Sequence, residues 1–361
     1  MANICDYMKW RGDLTLQQSE FNEVDNLILS RFSYFPFDTL IKEDETVTIK
    51  ELNQRFQKED INKMTILWKD DVDLFPLMGN SKRFGDMLVS KYINKIDKEE
   101  EKQFAAITIL MPDDTIYISY RGTDFTVVGW KEDLNMSFKS HVPSQKDSVK
   151  YLESIANMYP NQLRLGGHSK GGNLAVYAAV FADNKIKDRI INIYNNDGPG
   201  FNNEIIEMEE YKKIINKVHT FIPQSSIIGR LLFHEEDYTV IQSKQKGIMQ
   251  HDLYSWKVIG NQFIHLKEFT NDSEIIDKTI KQWLIDVDAK QREEVIEILF
   301  DILSTIDIQN FSELKTNWFS NAKKLLKTYK NIDKESKKMI SKTLNELFKI
   351  GRDNIFNTFN K

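Results

Sequence analysis

Residues 163–175 read LRLGGHSKGGNLA, and this stretch decides the fold class. The apolar residues up to Leu165 predict a strand, and the small residues from Ala175 onward predict a helix. Between them lies a Gly-x-Ser-x-Gly motif in which Gly167 and Gly171 flank Ser169. Glycines at these two positions allow strand and helix to approach while the serine occupies a strained turn. We therefore predict a nucleophile elbow with the Ser169 hydroxyl above a sheet, the alternative being an ordinary glycine-rich turn.

The composition restricts the class of protein. The chain has 361 residues, of which 41% are hydrophobic, enough for one large domain or two ordinary ones. A formal net charge of −5 argues against nucleic-acid binding. Cys5 is the single cysteine, which excludes an intrachain disulfide and fits a reducing compartment. Because neither a signal peptide nor a membrane span is visible, we predict a cytoplasmic protein.

The middle of the chain alternates between strands and helices. Residues 104–110 and 115–120 form two apolar runs separated by a four-residue turn, which predicts an antiparallel hairpin. A helical pattern at 145–159 precedes the elbow, and three further strands are predicted at 190–194, 218–222 and 238–241. Such alternation predicts a mostly parallel sheet covered by helices on both faces. Together with the predicted nucleophile elbow, it indicates an α/β-hydrolase fold.

The two ends of the chain have mainly helical patterns. Residues 1–270 are predicted to form the α/β-hydrolase domain, and residues 1–100 are its helical, polar lead-in. Within this lead-in, helical spacing relates Phe21, Val24, Leu27, Ile28 and Phe32, and again Phe84, Met87, Leu88 and Ile93. The acidic run at 97–101 is predicted to be a solvated loop.

Residues 271–361 are predicted to form a C-terminal helical region. Its last helix begins at Asp333, ends near Gly351 and has a lysine-rich face formed by Lys334, Lys337, Lys338, Lys342 and Lys349. Three roles stay open for this region: packing on the core with a solvated lysine face, contact with anionic lipid, or contact with a protein partner.

A serine nucleophile requires a histidine base and a carboxylate that orients it, and in α/β-hydrolases the chain order is serine, acid, histidine. Asp197 follows a predicted strand, so we predict it to be the acid, although it could also cap a turn. Asp237 and Glu236 are the reserve acids. His251 lies in a loop after the last predicted strand and is the predicted base. The remaining histidines are His234 as reserve base, His219 as a core residue, His265 as a weaker alternative, and His168 as a packing residue.

Acyl transfer also needs donors for an oxyanion. The residue after the nucleophile supplies one backbone N–H, which predicts Lys170. The backbone N–H of Thr123, after the strand that ends at Tyr120, is the predicted second donor. The side chains of Arg121 and Asp124 are predicted to form a structural ion pair. Since no histidine or cysteine spacing fits metal ligands, no metal or cofactor is predicted.

Two of these segments carry a family resemblance. Arg121-Gly122-Thr123 and the stretch 167–172 resemble the paired motifs of class 3 lipases, in which an Arg-Gly-Thr strand end lines the oxyanion hole. The chain is more similar still to the bacterial Mbeg1-like family, the domain of unknown function 2974, over roughly residues 1–265. The motifs that carry this similarity are WRGD at 10–13, FNEVD at 21–25, GWKED at 129–133, NDGPG at 196–200 and QHD at 250–252.

The chain departs from the class 3 pattern in two places. Those lipases place their acid just before a Val-Pro pair, whereas here the residues around Pro223 contain no carboxylate, so the arrangement with Asp197 resembles that of pancreatic-type lipases. Lys170 replaces the usual apolar residue, which would favour an anionic substrate unless its side chain simply faces solvent. The resemblance implies fold and chemistry more than a substrate.

The functional hypothesis is therefore a serine hydrolase that cleaves carboxylic esters. Lipid-like esters are the favoured substrates, and phospholipids are one class of these. Its partners would be small-molecule or lipid esters, with no nucleic acid and no integral membrane segment. The alternative is a non-catalytic member of the same fold that binds a partner through its C-terminal helices. An intact set of Ser169, Asp197 and His251 counts against that alternative.

Overall fold

The computed structural model describes residues 2–42, 44–124 and 126–304, and the positions Lys334, Lys337, Lys338, Ser341, Lys342, Asn345 and Lys349. The chain divides into two compact units. The first comprises Met1–Lys95, Phe104–Gly122 and Ser144–Thr270, and the second comprises Ile96–Gln103, Thr123–Pro143 and Asn271–Lys361. The predicted division into 1–270 and 271–361 uses a single boundary and stays a prediction.

The secondary structure alternates through the middle of the chain. The strands are β1 (Val47–Thr48), β2 (Leu88–Asp97), β3 (Lys102–Leu110), β4 (Thr115–Tyr120), β5 (Gln162–His168), β6 (Ile190–Asn196), β7 (Val218–Pro223), β8 (Tyr238–Ile241), β9 (Val258–Ile259), β10 (Gln262–Phe263) and β11 (His265–Leu266). The α-helices are α1 (Ile4–Arg11), α2 (Glu23–Phe32), α3 (Ile49–Phe56), α4 (Asp71–Gly79), α5 (Val127–Asn135), α6 (Pro143–Met158), α7 (Lys170–Phe181), α8 (Asn184–Lys187), α9 (Asn203–Ile206), α10 (Glu209–Ile214), α11 (Asn271–Asp286) and α12 (Ala289–Ser304).

A large mixed sheet organises these elements, in the strand order β1-β2-β3-β4-β5-β6-β7-β8-β11. The five strands from β4 to β8 run parallel, and the pairs β1–β2, β3–β4 and β8–β11 are antiparallel. The predicted hairpin is confirmed, because Leu110 pairs with Ile116 and Ala106 with Tyr120. The chain is thus a mixed α/β protein with a large, mostly parallel sheet, as its alternating pattern predicts.

The helices that connect the parallel strands cover one face of this sheet. Strands β4 to β8 follow one another in chain order, so right-handed crossovers place α6, α7 and α10 on the same side. Leu152, Leu174 and Tyr211 from these helices pack with Ile118 and Leu165 from the strands in one buried cluster. This arrangement leaves the opposite face uncovered by any crossover helix.

The N-terminal helices of the predicted lead-in fill that opposite face with their apolar sides. Leu27 and Phe32 of α2 and Phe75 of α4 are fully buried in a second cluster that includes Tyr117 of β4. Successive side chains of β4 point to opposite faces of the sheet and are buried on both. Each face must therefore be covered by helices. The N-terminal residues are therefore half of the core rather than an appendage.

The helical spacing between Phe84 and Ile93 also does not correspond to a helix in the structure. Phe84 lies in a turn, and β2 begins at Leu88 and extends the sheet beside β3. Spacings of three and four between apolar residues imitate a helix here, but pairing with a neighbouring strand overrides so short a pattern. The acidic residues that follow do form a turn between β2 and β3.

The helical pattern after residue 270 is observed through Ser304 in α11 and α12. The predicted last helix, Asp333 to Gly351, lies outside the described residues except for seven isolated positions. The roles of the C-terminal region therefore stay predictions. Among the described helices, none has both the length and the apolar character that crossing a membrane would require.

We expect removal of α11 and α12 to destabilise the second unit. Helix α12 packs on α5, and Lys131 bridges Glu101 at 2.6 Å and Glu297 at 2.8 Å. A chain that ends at Thr270 should melt several degrees lower, and proteases should cut it faster between residues 123 and 143. A chain that ends at Ser304 is the control. Equal melting and equal cleavage in both would show that α5 does not depend on these helices.

Candidate active site

Ser169 occupies the strained turn that joins β5 to α7. Its backbone angles are φ 60° and ψ −136°, a conformation that L-residues other than glycine rarely adopt. The Ser169 N–H donates to the Asn196 carbonyl at 3.0 Å, and the Gly172 N–H donates to the Ser169 carbonyl at 2.9 Å. These bonds fix the serine at the N-terminal end of α7, as the sequence motif predicts.

The two flanking glycines are required by the closeness of neighbouring backbone. A Cβ atom on Gly167 would lie 2.2 Å from the carbonyl carbon of Gly171. A Cβ atom on Gly171 would lie 2.1 Å from the Tyr120 carbonyl oxygen on β4. No side chain can yield at these points, because the atoms in the way belong to the main chain.

Replacing Gly171 with alanine is expected to destabilise the protein by about 3 kcal/mol or more, since an added methyl group in a tightly packed region forces a backbone shift. The matched control is Gly260→Ala in the β9–β10 turn. Gly260 has φ +61° but open space around it, so its replacement should cost about 1–2 kcal/mol through backbone strain alone. Urea unfolding of both variants measures the difference, and equal losses would contradict the steric argument.

Asp197 and His251 form a hydrogen-bonded pair. Asp197 directly follows β6, is fully buried, and lies 2.7 Å from His251 Nδ1 through its Oδ2 atom. Its Oδ1 atom accepts hydrogen bonds from the Ser226 hydroxyl at 2.5 Å and the Gly229 N–H at 3.1 Å. Because both oxygens form hydrogen bonds, the buried carboxylate is satisfied and held in one orientation.

This pairing determines the tautomer of His251. A carboxylate accepts hydrogen bonds, so His251 Nδ1 is the donor in this pair, and the acceptor nitrogen of the imidazole is then Nε2. The side chain of His251 is 21% exposed, whereas that of Asp197 is completely enclosed. The buried Asp197 carboxylate therefore lies behind a partly exposed imidazole.

The loop that carries Asp197 and the loop that carries His251 both contact the elbow at residues next to Ser169. His168 Nε2 lies 2.9 Å from the His251 carbonyl oxygen, and the two imidazole rings are 4.5 Å apart between centroids. On the other side, a Cβ atom on Gly198 would lie 2.4 Å from the Ser169 carbonyl oxygen. Asp197 and His251 are thus in direct contact, and the residues next to Ser169 and Asp197 in the chain connect both of them to the elbow.

The end of β4 passes directly beside the serine. A Cβ atom on Gly122 would lie 3.0 Å from the Ser169 Cβ atom, so a side chain there would crowd the serine. Thr123, the predicted oxyanion donor, belongs to the second unit, where its hydroxyl donates to Asp133. Lys170 is the first residue of α7 and its side chain is buried, which removes the alternative that it simply faces solvent.

The reserve residues form contacts of their own. His234 Nδ1 lies 3.0 Å from Glu236, whose carboxylate also accepts from Tyr211 and Thr220 at 2.6 Å each. Burial raises the pKa of Glu236, but the hydrogen bond and charge of His234 and the two hydroxyl groups outweigh it and bring the pKa to about 2. Asp237 is exposed. Neither reserve acid is observed beside His251.

Two other histidines lie away from this pair. His219 is on β7 as predicted, but it is exposed rather than in the core, and its Nε2 lies 2.9 Å from Asn192. His265 lies 2.9 Å from Glu23. Among the described residues, no group of three or more histidine, cysteine, aspartate or glutamate side chains is placed to hold a metal ion.

Buried polar residues beneath the elbow escaped the sequence-based prediction. The Asn196 side chain donates to the Gly167 carbonyl at 3.0 Å and accepts from Asn26 of α2 at 2.8 Å. The indole of Trp256 donates to the Gln250 carbonyl at 2.9 Å and anchors the loop before His251. No local pattern marks these contacts, because Asn26 and Asn196 are 170 positions apart.

His168 should make stability depend on pH. Burial, then the neighbouring charges of His251 and Arg31, hold the pKa of folded His168 well below the usual value of 6.5. The unfolded chain therefore takes up a proton as pH falls below about 6.5, while the folded chain does not. The contribution is present above that pH and is lost as pH falls toward the folded pKa.

We expect the free energy of unfolding to decrease more between about pH 7.5 and pH 5 in the wild type than in His168→Gln. Other titrating groups, His219 included, occur in both proteins and cancel in the comparison. Urea titrations at the two pH values measure this difference, and parallel decreases would contradict the assignment of a neutral, buried His168.

Comparisons with known proteins agree with the predicted resemblance. A family model described as Mbeg1-like matches residues 78–301, more than half of the chain. The match begins after the motifs at 10–13 and 21–25, and it continues through α11 into α12. The predicted range of the similarity, 1–265, is therefore corrected to 78–301, which includes α11 and most of α12. No curated protein matches the chain.

Solved structures similar to the chain include distant lipases. A Rhizomucor miehei lipase propeptide complex is 16% identical, with a TM-score of 0.34 over 42% of this chain and 56% of that chain. A mutant form of MDLA from Penicillium cyclopium is 14% identical, with a TM-score of 0.39 over 69% of this chain and 87% of that chain. A triacylglycerol lipase from Penicillium expansum is 12% identical, with a TM-score of 0.32 over 50% and 74%. The chain therefore spans little more than half of the first of these structures.

Proposed function

The chain belongs to the Mbeg1-like family, and we propose that it is a serine hydrolase that cleaves carboxylic esters through an acyl-enzyme on Ser169. The observation that carries the proposal is the hydrogen bond between the buried Asp197 and the partly exposed His251, whose main chain is hydrogen-bonded to the residue before Ser169. A positive φ at the serine costs stability, and so does enclosing a carboxylate. A fold that served only as a scaffold would need neither.

In the proposed acylation step, His251 Nε2 accepts the proton of the Ser169 hydroxyl as Oγ attacks the ester carbonyl carbon. The imidazolium that forms keeps its Nδ1–H bond to Asp197, which stabilises the positive charge. Collapse of the tetrahedral intermediate breaks the bond to the alcohol, and the departing oxygen takes the proton from His251. Water then repeats the sequence on the acyl-enzyme, which releases the acid and restores Ser169.

The negative charge on the tetrahedral oxygen is proposed to be held by the backbone N–H groups of Lys170 and Thr123. Lys170 begins α7, where the positive end of the helix dipole stabilises an anion. The substrates are proposed to be lipid-like esters, phospholipids among them. The mechanism uses no cofactor and no metal ion.

Labelling with a fluorophosphonate probe, followed by peptide mapping, tests the proposal. A single adduct on Ser169 is expected, and it should be absent from Ser169→Ala. Ser226 is an internal control, because it is buried against Asp197 and should stay unmodified. Folded wild-type protein that takes no label would favour the non-catalytic, partner-binding alternative. An adduct on another serine would refute the site.

A further inference from the structure

His168 precedes the nucleophile, is buried, and has no part in the proton transfers described above. We propose that His168 is a positioning residue, which holds the base loop of His251 and the end of β4 at Gly122 in register with Ser169. This inference rests on the proposed function and extends it to a residue that contacts the reacting groups without exchanging protons with them.

The direction of one hydrogen bond fixes the state of His168. The His251 carbonyl oxygen can only accept, so His168 Nε2 carries the proton of that 2.9 Å bond. Burial keeps the ring neutral by lowering its pKa, which leaves Nδ1 as an acceptor. The Tyr34 hydroxyl lies 3.3 Å from this Nδ1. The bond to His251 therefore fixes one tautomer of His168, with the unprotonated Nδ1 on the side of Tyr34.

His168 contacts the proposed base in two ways. Its N–H bonds the main chain of His251, and its ring lies against the His251 ring at 4.5 Å with an angle of 32° between the planes. Asp197 holds Nδ1 of the same imidazole. The contacts from His168 and Asp197 come from different directions and restrict both the position of the His251 main chain and the tilt of its ring. These two variables determine whether Nε2 can reach a serine hydroxyl.

The other end of His168 leads to the strand beside the nucleophile. The Tyr34 hydroxyl donates to the His168 carbonyl at 3.0 Å and accepts the Gly122 N–H at 3.0 Å. A Cβ atom on Gly122 would lie 3.0 Å from that of Ser169, so this strand end forms one wall of the site. A continuous chain of contacts thus runs from His251 through His168 and Tyr34 to Gly122.

Two amide substitutions separate positioning from packing. Glutamine at 168 places its side-chain nitrogen near the position of Nε2 and can still donate to the His251 carbonyl, whereas asparagine is one methylene shorter and cannot. We expect His168→Asn to lower the rate of fluorophosphonate labelling at Ser169 by about 10–100-fold, because a displacement of about 1 Å has effects of this size. His168→Gln should stay near the wild-type rate. Tyr34→Phe should fall between the two.

The labelling rate at Ser169 is measured per folded molecule across a full pH profile. His219→Asn and His219→Gln are the matched control pair, because His219 is bonded to Asn192 and has no part in the proposed site. A merely structural role would lower the melting temperature of His168→Asn but leave its labelling rate equal to that of His168→Gln, and this result would overturn the inference. Wild-type protein that takes no label would instead refute the proposed function. Labelled wild type with a slow asparagine variant and a fast glutamine variant supports both.

Discussion

Alanine at Ser169 and alanine at His251 are each expected to lower ester hydrolysis to the same residual level, a loss of about 10⁴–10⁶-fold, because the nucleophile and its base act as a unit. Without His251 the proposed acceptor of the hydroxyl proton is lost, and without Ser169 no acyl-enzyme forms. The measurement is kcat/KM on a short soluble ester, with each variant first shown to melt like the wild type.

His234→Gln is the matched control for His251→Ala. His234 belongs to a second buried histidine–carboxylate pair, with Glu236, and its replacement should lower stability while activity per folded molecule stays near that of the wild type. A fully active His251→Ala protein would rule out the proposed base. An inactive but folded His234→Gln protein would identify the other pair as its replacement.

Much of the candidate site could be predicted because the chemistry imposes an order along the chain. The elbow is a local pattern, and the parallel strands after it must end at the same edge of the sheet, which is where Asp197 lies. His251 could be chosen from the histidines that follow Asp197 because its loop comes after the last parallel strand. Each of these inferences needs only the local sequence and the direction of neighbouring strands.

The contacts that orient these residues could not be predicted in the same way. Tyr34 and His168 are 134 positions apart, and nothing local to either residue indicates that they meet. Lysine is usually an exposed residue type, yet Lys170 is buried, and this follows from tertiary packing around α7. Tertiary structure also decides the role of the N-terminal helices, since they cover the sheet face that the crossover helices leave open. A helical period in the sequence indicates that a helix has an apolar face, but not which surface covers it.

Replacing Asp197 with asparagine is expected to lower kcat/KM by about 10⁴-fold and to leave the fold intact, since the two side chains have the same shape. The cause is the tautomer of His251. An amide oxygen at the Oδ1 position can still accept from Ser226 and Gly229, which turns the amide N–H₂ toward His251. His251 Nδ1 must then accept a hydrogen bond, so the ring proton moves to Nε2, the nitrogen that has to receive the serine proton.

The Asp197→Asn experiment needs a control for the alternative acids, and Glu236→Gln and Asp237→Asn provide it. Glu236 is occupied by His234, Tyr211 and Thr220, and Asp237 faces solvent, so neither variant should change activity per folded molecule. Thermal melts separate a loss of stability in Glu236→Gln from a loss of chemistry. Full activity in Asp197→Asn together with inactivity in either control would transfer the acid role to that residue. Such a result would also require the His251 loop to move, because the 2.7 Å bond to Asp197 would no longer define the working site.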